Sequence, residues 1–155
     1  MPSSFTEFLV SSTLHVSIIT MTRSFNPLTT TAQELQSLLS GGSTTSGQIV
    51  ETYLNQIEKH NERLKAIISI APRDSLFAQA QKLDDERNKG SLRGPLHGLP
   101  IVVKDTFKFA PEMGLKTTVG SHVFAREKAK SNAVLIQQLI DQGVIILGTA
   151  NLTVN

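Results

Sequence analysis

The sequence predicts an α/β fold in which N-terminal helices precede the strand-helix-strand elements of a mixed sheet. Two short runs, Pro100–Lys104 and Val144–Leu147, are rich in consecutive apolar residues, as is usual for buried parallel strands. A helical pattern that begins at Ser131 and ends at Gly143 separates them. Because strand, helix and strand follow in this order, we expect a βαβ unit with a right-handed crossover. The residues expected to face inward on its helix are Leu135, Ile136, Leu139 and Ile140.

Two amphipathic helices are predicted before this unit. Each begins with the pattern of a capping box, in which a threonine and a Glu or Gln three residues later bind each other's backbone amides. The capping threonines are Thr31 and Thr45, and the expected ends are Gly41-Gly42 and His60-Asn61. The apolar residues at helical spacing are Leu35, Leu38 and Leu39 in the first helix and Ile49, Tyr53, Leu54 and Ile57 in the second.

A short strand and a third helix are predicted next. The run Ala66–Ile70 is β-branched and too short for a helix, so we interpret it as a strand that Pro72 closes. The helix that follows is expected to have Asp74 or Ser75 as its N-cap and to end at Gly90. Its apolar stripe consists of Leu76, Ala80 and Leu83.

The composition limits the class of function. The chain has 155 residues, 39% of them hydrophobic, which is enough for one domain with a core. Basic and acidic side chains are interleaved and the formal charge is only +2, so we expect neither a nucleic acid nor a membrane partner. The absence of cysteine excludes disulfides and cysteine nucleophiles. The four histidines lack the spacing of metal ligands, and we predict no metal and no cofactor.

Residues 1–29 differ in character from the rest of the chain. Their short apolar stretches are interrupted by serines and threonines, and none is long enough to span a bilayer. A secretory signal would carry positive charge before the apolar run, whereas Glu7 precedes it and Arg23 follows it. We therefore favour an unstructured leader over a signal peptide for residues 1–29, and we assign a cytoplasmic location by default.

The densest functional pattern runs from Gly94 to Asp105. Lys104 and Asp105 stand at the carboxyl end of its predicted apolar strand, which is where the active sites of α/β proteins usually lie. Burial disfavours the ammonium form of a lysine and so makes a neutral amine available as a base. Taken alone, Lys104 would be interpreted as an exposed lysine at the end of a strand. The flanking motif, and the family resemblance that it carries, make Lys104 the candidate catalytic residue.

The segment Gly94–Asp105 resembles the core motif of the amidase-signature family. The similarity continues in the Thr45–His60 helix, in Thr117–Ser121 and in Gly143–Leu152. The resemblance implies an incomplete amidase-signature fold, in which residues 30–155 form the N-terminal part of an amidase domain. It also implies a small-molecule carboxamide as the substrate of the full-length protein.

The chemistry implied by this resemblance is a Ser-Ser-Lys triad. A neutral lysine takes a proton from a bridging serine, which in turn deprotonates the serine that attacks the amide carbonyl. Lys104 stands at the position of that lysine. The family places both serines in a Gly/Ser-rich segment downstream of the equivalent of Asn151, and this sequence contains no such segment. We therefore expect a chain that is cut at this point and inactive alone.

Three polar residues near the motif have competing interpretations. His97 lies in a turn and is more often a structural hydrogen-bonding residue than a general base. Asp105 can either pair with Lys104 or bind backbone amides in the turn, and we favour the second. Ser121 lacks the Gly-x-Ser-x-Gly elbow of an exposed nucleophile, so we interpret it as part of a loop.

The competing class of function is a non-catalytic remnant of an amidase. Such a remnant would act as an interaction module, or self-associate, through an exposed sheet edge and uncovered apolar faces. A nucleotide-binding βαβ unit is a third idea, but the sequence lacks a glycine-rich phosphate loop after a strand. Because few helices are available to cover the sheet, we also expect low stability.

Overall fold

The computed structural model describes residues 25–121, 123–124 and 129–152. The predicted leader lies outside these residues except for its last five positions. The elements within the described ranges are α1 (Ala32–Ser40), α2 (Ser46–Leu64), β1 (Ile67–Ile70), α3 (Arg73–Asn88), β2 (Pro100–Lys104), a 3-10 turn (Pro111–Met113), α4 (Val134–Asp141) and β3 (Ile145–Ala150).

Both predicted capping boxes are present. The Thr31 hydroxyl accepts a hydrogen bond from the Glu34 amide at 3.3 Å, and the Glu34 carboxylate accepts one from the Thr31 amide at 2.7 Å. Thr45 and Gln48 form the equivalent pair of bonds at the start of α2. These reciprocal bonds satisfy backbone amides that have no partner within the helix. Both helices therefore begin where the sequence predicts.

The second helix is longer than predicted, because it continues past His60 to Leu64. The side chain of Asn61, at the predicted end, binds the backbone of β1. The Ile67 amide donates to Asn61 Oδ1 at 2.8 Å, and Asn61 Nδ2 donates to the Ile67 carbonyl at 2.9 Å. Lys65 ends the helix with a left-handed φ of 51°.

The predicted start of the third helix is wrong by two or three residues. It begins at Arg73, with Pro72 and not Asp74 or Ser75 at the N-cap. Within the part of the chain that the structure describes, no side chain caps this end. Proline is tolerated at this position because it has no amide that needs a partner at the start of the helix.

The fourth helix begins at Val134, three residues after the predicted start at Ser131. The residues before it are bound to the preceding loop, since Asn132 Oδ1 accepts from the Ala110 amide at 2.7 Å and the Ala133 amide donates to the Lys108 carbonyl at 2.8 Å. The prediction that Leu135 faces inward is also wrong, because this residue is 49% exposed. Ile136 is fully buried, as predicted.

The three strands form one mixed sheet with the order β1-β3-β2. β2 is parallel to β3, with α4 between them in the chain, and β1 is antiparallel to β3. The predicted βαβ order is therefore confirmed. β3 is central and buried along nearly its whole length. It contributes Ile145, Ile146 and Leu147 to a core that also contains Leu54 of α2 and Leu76 of α3.

The expectation that β2 is buried on both faces is wrong. Val103 is 9% exposed and packs in the core, whereas its neighbour Val102 is 37% exposed. Successive residues of a strand point to opposite faces, so only one face of β2 is covered among the described residues. A smaller cluster of Leu35, Leu39, Ile49 and Leu99 joins α1 and α2 to the segment that leads into β2. None of the described helices combines the length and the apolar character needed to cross a bilayer.

Candidate active site

Lys104 is the last residue of β2 and lies opposite Ala150 of β3. The structure thus gives it the predicted position at the carboxyl end of a strand. Its side chain is exposed, so the described residues alone do not supply the burial that would favour a neutral amine. The reason is that Lys104 shares the uncovered face of β2 with Val102, two residues before it.

Asp105, the next residue, is fully buried. Its carboxylate accepts from the Thr118 amide at 2.9 Å and from the Thr118 hydroxyl at 2.5 Å. Its own amide donates to the Ala150 carbonyl at 3.2 Å, and its carbonyl accepts from the Val119 amide at 3.1 Å. The structure therefore supports the interpretation that Asp105 binds a backbone amide and does not pair with Lys104, but the amide belongs to Thr118, 13 residues further on, and not to the turn after β2.

The segment Thr117–Ser121 is a loop, and these hydrogen bonds hold it against the end of β2. The Thr117 hydroxyl donates to the Phe107 carbonyl, and the Ser121 amide donates to the Thr118 carbonyl at 2.8 Å. Val119 has a left-handed φ of 50°, which is rare for a β-branched residue. Ser121 lies in this loop, and its hydroxyl accepts from the Val123 amide at 3.3 Å, in agreement with its interpretation as a loop residue.

His97 is fully buried, and both of its ring nitrogens are bound to backbone. Nε2 lies 2.9 Å from the Leu83 carbonyl oxygen, and Nδ1 accepts from the Arg93 amide at 3.2 Å. A carbonyl can only accept and an amide N–H can only donate, so the two contacts fit the tautomer with its proton on Nε2. With both nitrogens engaged, His97 joins α3 to the loop before β2. This geometry supports its structural interpretation and leaves no nitrogen free for general base catalysis.

Gly143 allows the backbone to approach His97 closely, and Gly98 is hydrogen-bonded to Gly143. The Gly98 amide donates to the Gly143 carbonyl at 2.7 Å, which ties the start of β2 to the turn between α4 and β3. A Cβ atom added to Gly143 would lie 2.7 Å from His97 Nδ1. Its φ of +81° is also one that residues with side chains rarely adopt. The Gly94–Pro100 part of the motif therefore fixes the positions of the first residues of β2 and β3 relative to each other.

The ion pair between Arg93 and Glu86 holds the loop between α3 and β2 against α3. Arg93 donates to Glu86 through Nε at 2.6 Å and through Nη2 at 2.5 Å. These two parallel bonds have the bidentate geometry that Arg and carboxylate groups favour. The hydrogen bonds from Arg93 lower the pKa of the Glu86 carboxyl below its ordinary value, and the Glu86 bonds raise the pKa of Arg93. The pair fixes the loop that follows α3.

Sequence reasoning missed the partners of these residues. Thr118 is the partner of Asp105, and Leu83 and Gly143 contact His97 from positions 14 and 46 residues away. The signal for Thr118 was its place in the Thr117–Ser121 part of the resemblance. No local pattern indicated Leu83 or Gly143.

The described residues contain no group of three His, Asp or Glu side chains arranged to hold a metal ion. A groove of about 460 Å³ lies between α2 and the start of α3. Apolar Leu54, Ile57 and Ile70 and charged Glu58 and Arg73 line it. Lys104 is not among its lining residues, so this groove is separate from the candidate site.

Comparison with known proteins gives concordant matches. The family model described as Amidase matches residues 48–154. A putative amidase of Schizosaccharomyces pombe is 35% identical over 79% of this chain and 20% of its own length. A glutamyl-tRNA(Gln) amidotransferase subunit of Streptomyces coelicolor is 33% identical over 79% of this chain and 24% of its own length.

A solved structure supports the same grouping. The native peptide amidase of Stenotrophomonas maltophilia superposes with a TM-score of 0.73 at 33% identity, over 80% of this chain and 25% of that protein. The present chain thus spans about a fifth to a quarter of the length of the proteins it matches.

Proposed function

This chain belongs to the amidase family, and we propose from that premise that it contributes the lysine of a Ser-Ser-Lys triad that hydrolyses carboxamide C–N bonds. Lys104 is the proposed base. It would take a proton from a bridging serine, which deprotonates the serine that attacks the amide carbonyl. Backbone amides would bind the oxyanion formed by this attack. The C–N bond would then break, and the amine would leave with the proton that Lys104 returns through the bridging serine. Water would hydrolyse the resulting acyl-enzyme to the carboxylic acid and free serine.

The observation that carries the proposal is the pairing of Lys104 with Ala150. Because β2 and β3 are parallel, both strands end at the same edge of the sheet. A segment that follows β3 therefore begins beside Lys104. In the family that this chain resembles, both serines stand in such a segment, downstream of the equivalent of Asn151. We expect them to lie at the edge of the sheet where Lys104 ends β2.

The proposal also requires that the exposed face of β2 be covered in the active protein. A lysine acts as a base only when its amine is neutral, and loss of hydration favours the neutral form. Lys104 and Val102 are both exposed here, so the covering elements would come from outside the described residues. We propose that residues 30–155 form the N-terminal part of an amidase domain preceded by a leader of residues 1–29, and that the chain alone turns over no amide.

Split-enzyme complementation tests this function. The chain is first assayed alone against a panel of simple carboxamides, and then with the peptide amidase of S. maltophilia from which the matching segment has been deleted. We expect no turnover by the chain alone and restored turnover by the mixture. Turnover by the chain alone that Lys104→Ala abolishes would contradict the proposed inactivity. Mixtures that remain inactive would count against the amidase proposal.

A second candidate function is a non-catalytic interaction module, favoured by the exposed apolar residues of the edge strands. Ile68 and Ile70 of β1 are 43% and 40% exposed, and Val102 of β2 is 37% exposed. Edge strands with apolar side chains readily pair with another chain, and a second copy is the simplest partner. Sedimentation of the chain at increasing concentration, compared with Val102→Ser, tests it. Association that this variant reduces, without any turnover in the mixture, would favour the module.

The proposed location is cytoplasmic, and the proposed partner in the full-length protein is a small amide. We propose no nucleic acid or membrane partner, because the charges are interleaved along the sequence.

A further inference from the structure

Asp105 is a buried carboxylate that the triad chemistry does not use. It makes four hydrogen bonds, and they connect three parts of the chain. Its amide binds the Ala150 carbonyl of β3, its carbonyl binds the Val119 amide, and its carboxylate takes both the amide and the hydroxyl of Thr118. A buried carboxylate is unfavourable unless its oxygens are well bonded, so this arrangement specifies one position for the bonded loop.

The loop held in this way is the segment Thr117–Ser121, and its backbone is sterically unfavourable at one point. Val119 has a φ of 50° although it is β-branched, and Gly120 follows with a φ of +67°. Such a backbone persists only where surrounding contacts impose it. The Val119 amide and the preceding Thr118 side chain are both bound by Asp105, which therefore imposes it from the end of β2.

The same loop also reaches the segment after β3. A Cβ atom at Gly120 would lie 3.1 Å from Leu152 Cδ1, so the loop contacts the chain just where it leaves the sheet. Asp105 thus fixes the loop against the ends of both parallel strands, and Lys104 and Ala150 are the last residues of those strands. No bond of Asp105 involves the Lys104 side chain, so its effect on the site passes through the loop.

We propose that Asp105 is a positioning residue, which holds Thr117–Ser121 as one wall of the site where Lys104 acts. This inference rests on the proposed amidase function for its catalytic consequence, whereas the holding of the loop does not depend on that function. The charge on the carboxylate matters because charged acceptors form stronger hydrogen bonds with an amide and a hydroxyl than neutral ones do.

The first arm of the test measures backbone amide exchange at Val119 and Gly120 in the isolated chain. Asp105→Asn puts an NH2 group or a neutral oxygen where the carboxylate binds Thr118, and Thr118→Val removes the hydroxyl while keeping the shape. We expect each to speed exchange at the Val119 amide by about tenfold or more, because bonds to a charged group are lost. Exchange at Gly120 is compared only in Asp105→Asn, because the Gly120 amide donates to the Thr118 hydroxyl that Thr118→Val removes. Thr118→Ser keeps the hydroxyl and should restore slow exchange.

Asp141→Asn is the matched control, since this exposed carboxylate accepts a hydrogen bond from Gln137 and lies at the end of α4. It should leave exchange at Val119 and Gly120 unchanged. Unchanged exchange in Asp105→Asn and in Thr118→Val would overturn the proposal, whatever the activity. If Asp105→Asn does not fold, Thr118→Val and Thr118→Ser still decide the point, because both keep the buried carboxylate.

The second arm measures kcat and KM in the complementation mixture. A displaced wall disturbs geometry in the transition state, so Asp105→Asn and Thr118→Val should lower kcat by about 10- to 100-fold, while KM stays within about twofold. Thr118→Ser should recover most of kcat. Faster exchange with unchanged kcat would overturn the role at the site. An unsubstituted mixture without turnover would instead contradict the proposed function and the catalytic part of this inference together.

Discussion

Lys104 and Ala150 lie opposite each other at the carboxyl ends of the parallel strands β2 and β3. The pairing brings a lysine that the sequence separates from β3 by some forty residues to the edge where the chain leaves that strand. Contacts at both ends of the two strands maintain this pairing. His97 packs against Gly143 where the strands begin, and the Asp105 amide donates to the Ala150 carbonyl where they end.

Replacement of His97 by leucine should lower the stability of the chain without acting on the chemistry. The change leaves the Leu83 carbonyl and the Arg93 amide without their buried partner, and each such loss costs about 1–3 kcal/mol. We expect the free energy of unfolding in urea to fall by about 3 kcal/mol. His60→Leu, on the exposed side of α2, is the control. Normal stability of His97→Leu combined with lost turnover in the complementation assay would favour a catalytic histidine.

Replacement of Gly143 by alanine tests the close approach to His97. Gly143 and Gly90 both have positive φ, +81° and +74°, so alanine is strained to a similar degree at either position. Only at Gly143 does the added Cβ meet another group, His97 Nδ1 at 2.7 Å, and at Gly90 nothing lies within 4 Å. We expect Gly143→Ala to cost about 1–3 kcal/mol more than Gly90→Ala in urea unfolding. Equal losses would show that the turn can move away from the histidine.

The pair formed by Glu86 and Arg93 predicts a loss of stability in acid. The bonds from Arg93 lower the pKa of Glu86 in the folded chain below its ordinary value of 4.5. A carboxyl with a lowered folded pKa stabilises the fold above its unfolded pKa, and this contribution disappears as the pH falls through the folded pKa. Stability measured from about pH 7 to about pH 3 should therefore fall less steeply in Glu86→Gln. Glu58→Gln, an exposed position on α2, should keep the steep fall.

Local signals in the sequence predicted most of the elements but not their partners. The Thr31 and Thr45 boxes and the strand Pro100–Lys104 are encoded by neighbouring residues, and the structure has them at the predicted positions. The start of α4 was missed because Asn132 binds Ala110, 22 residues away. Such a bond competes with a helix cap, and no local pattern reveals it.

The site was predictable only in part for the same reason. The place of Lys104 at a strand end follows from the apolar run before it, but its exposure depends on which elements cover that face of β2. Thr118 was recognised as part of a resemblance and not as the partner of Asp105, because their contact spans 13 residues of irregular chain. Burial and partners of a site residue are tertiary properties, whereas its position in a strand is a local one.

The role of Lys104 as the base is the central claim, and one comparison tests it directly. The chain and its Lys104→Ala variant are each mixed with the peptide amidase that lacks the matching segment, and the rate of carboxamide hydrolysis is measured. Lys108→Ala serves as the control, because Lys108 is an exposed lysine four residues further on. We predict that loss of Lys104 lowers the rate by about a thousandfold or more while Lys108→Ala keeps it, as removal of a catalytic base requires. Equal rates for the original chain and Lys104→Ala would contradict the account.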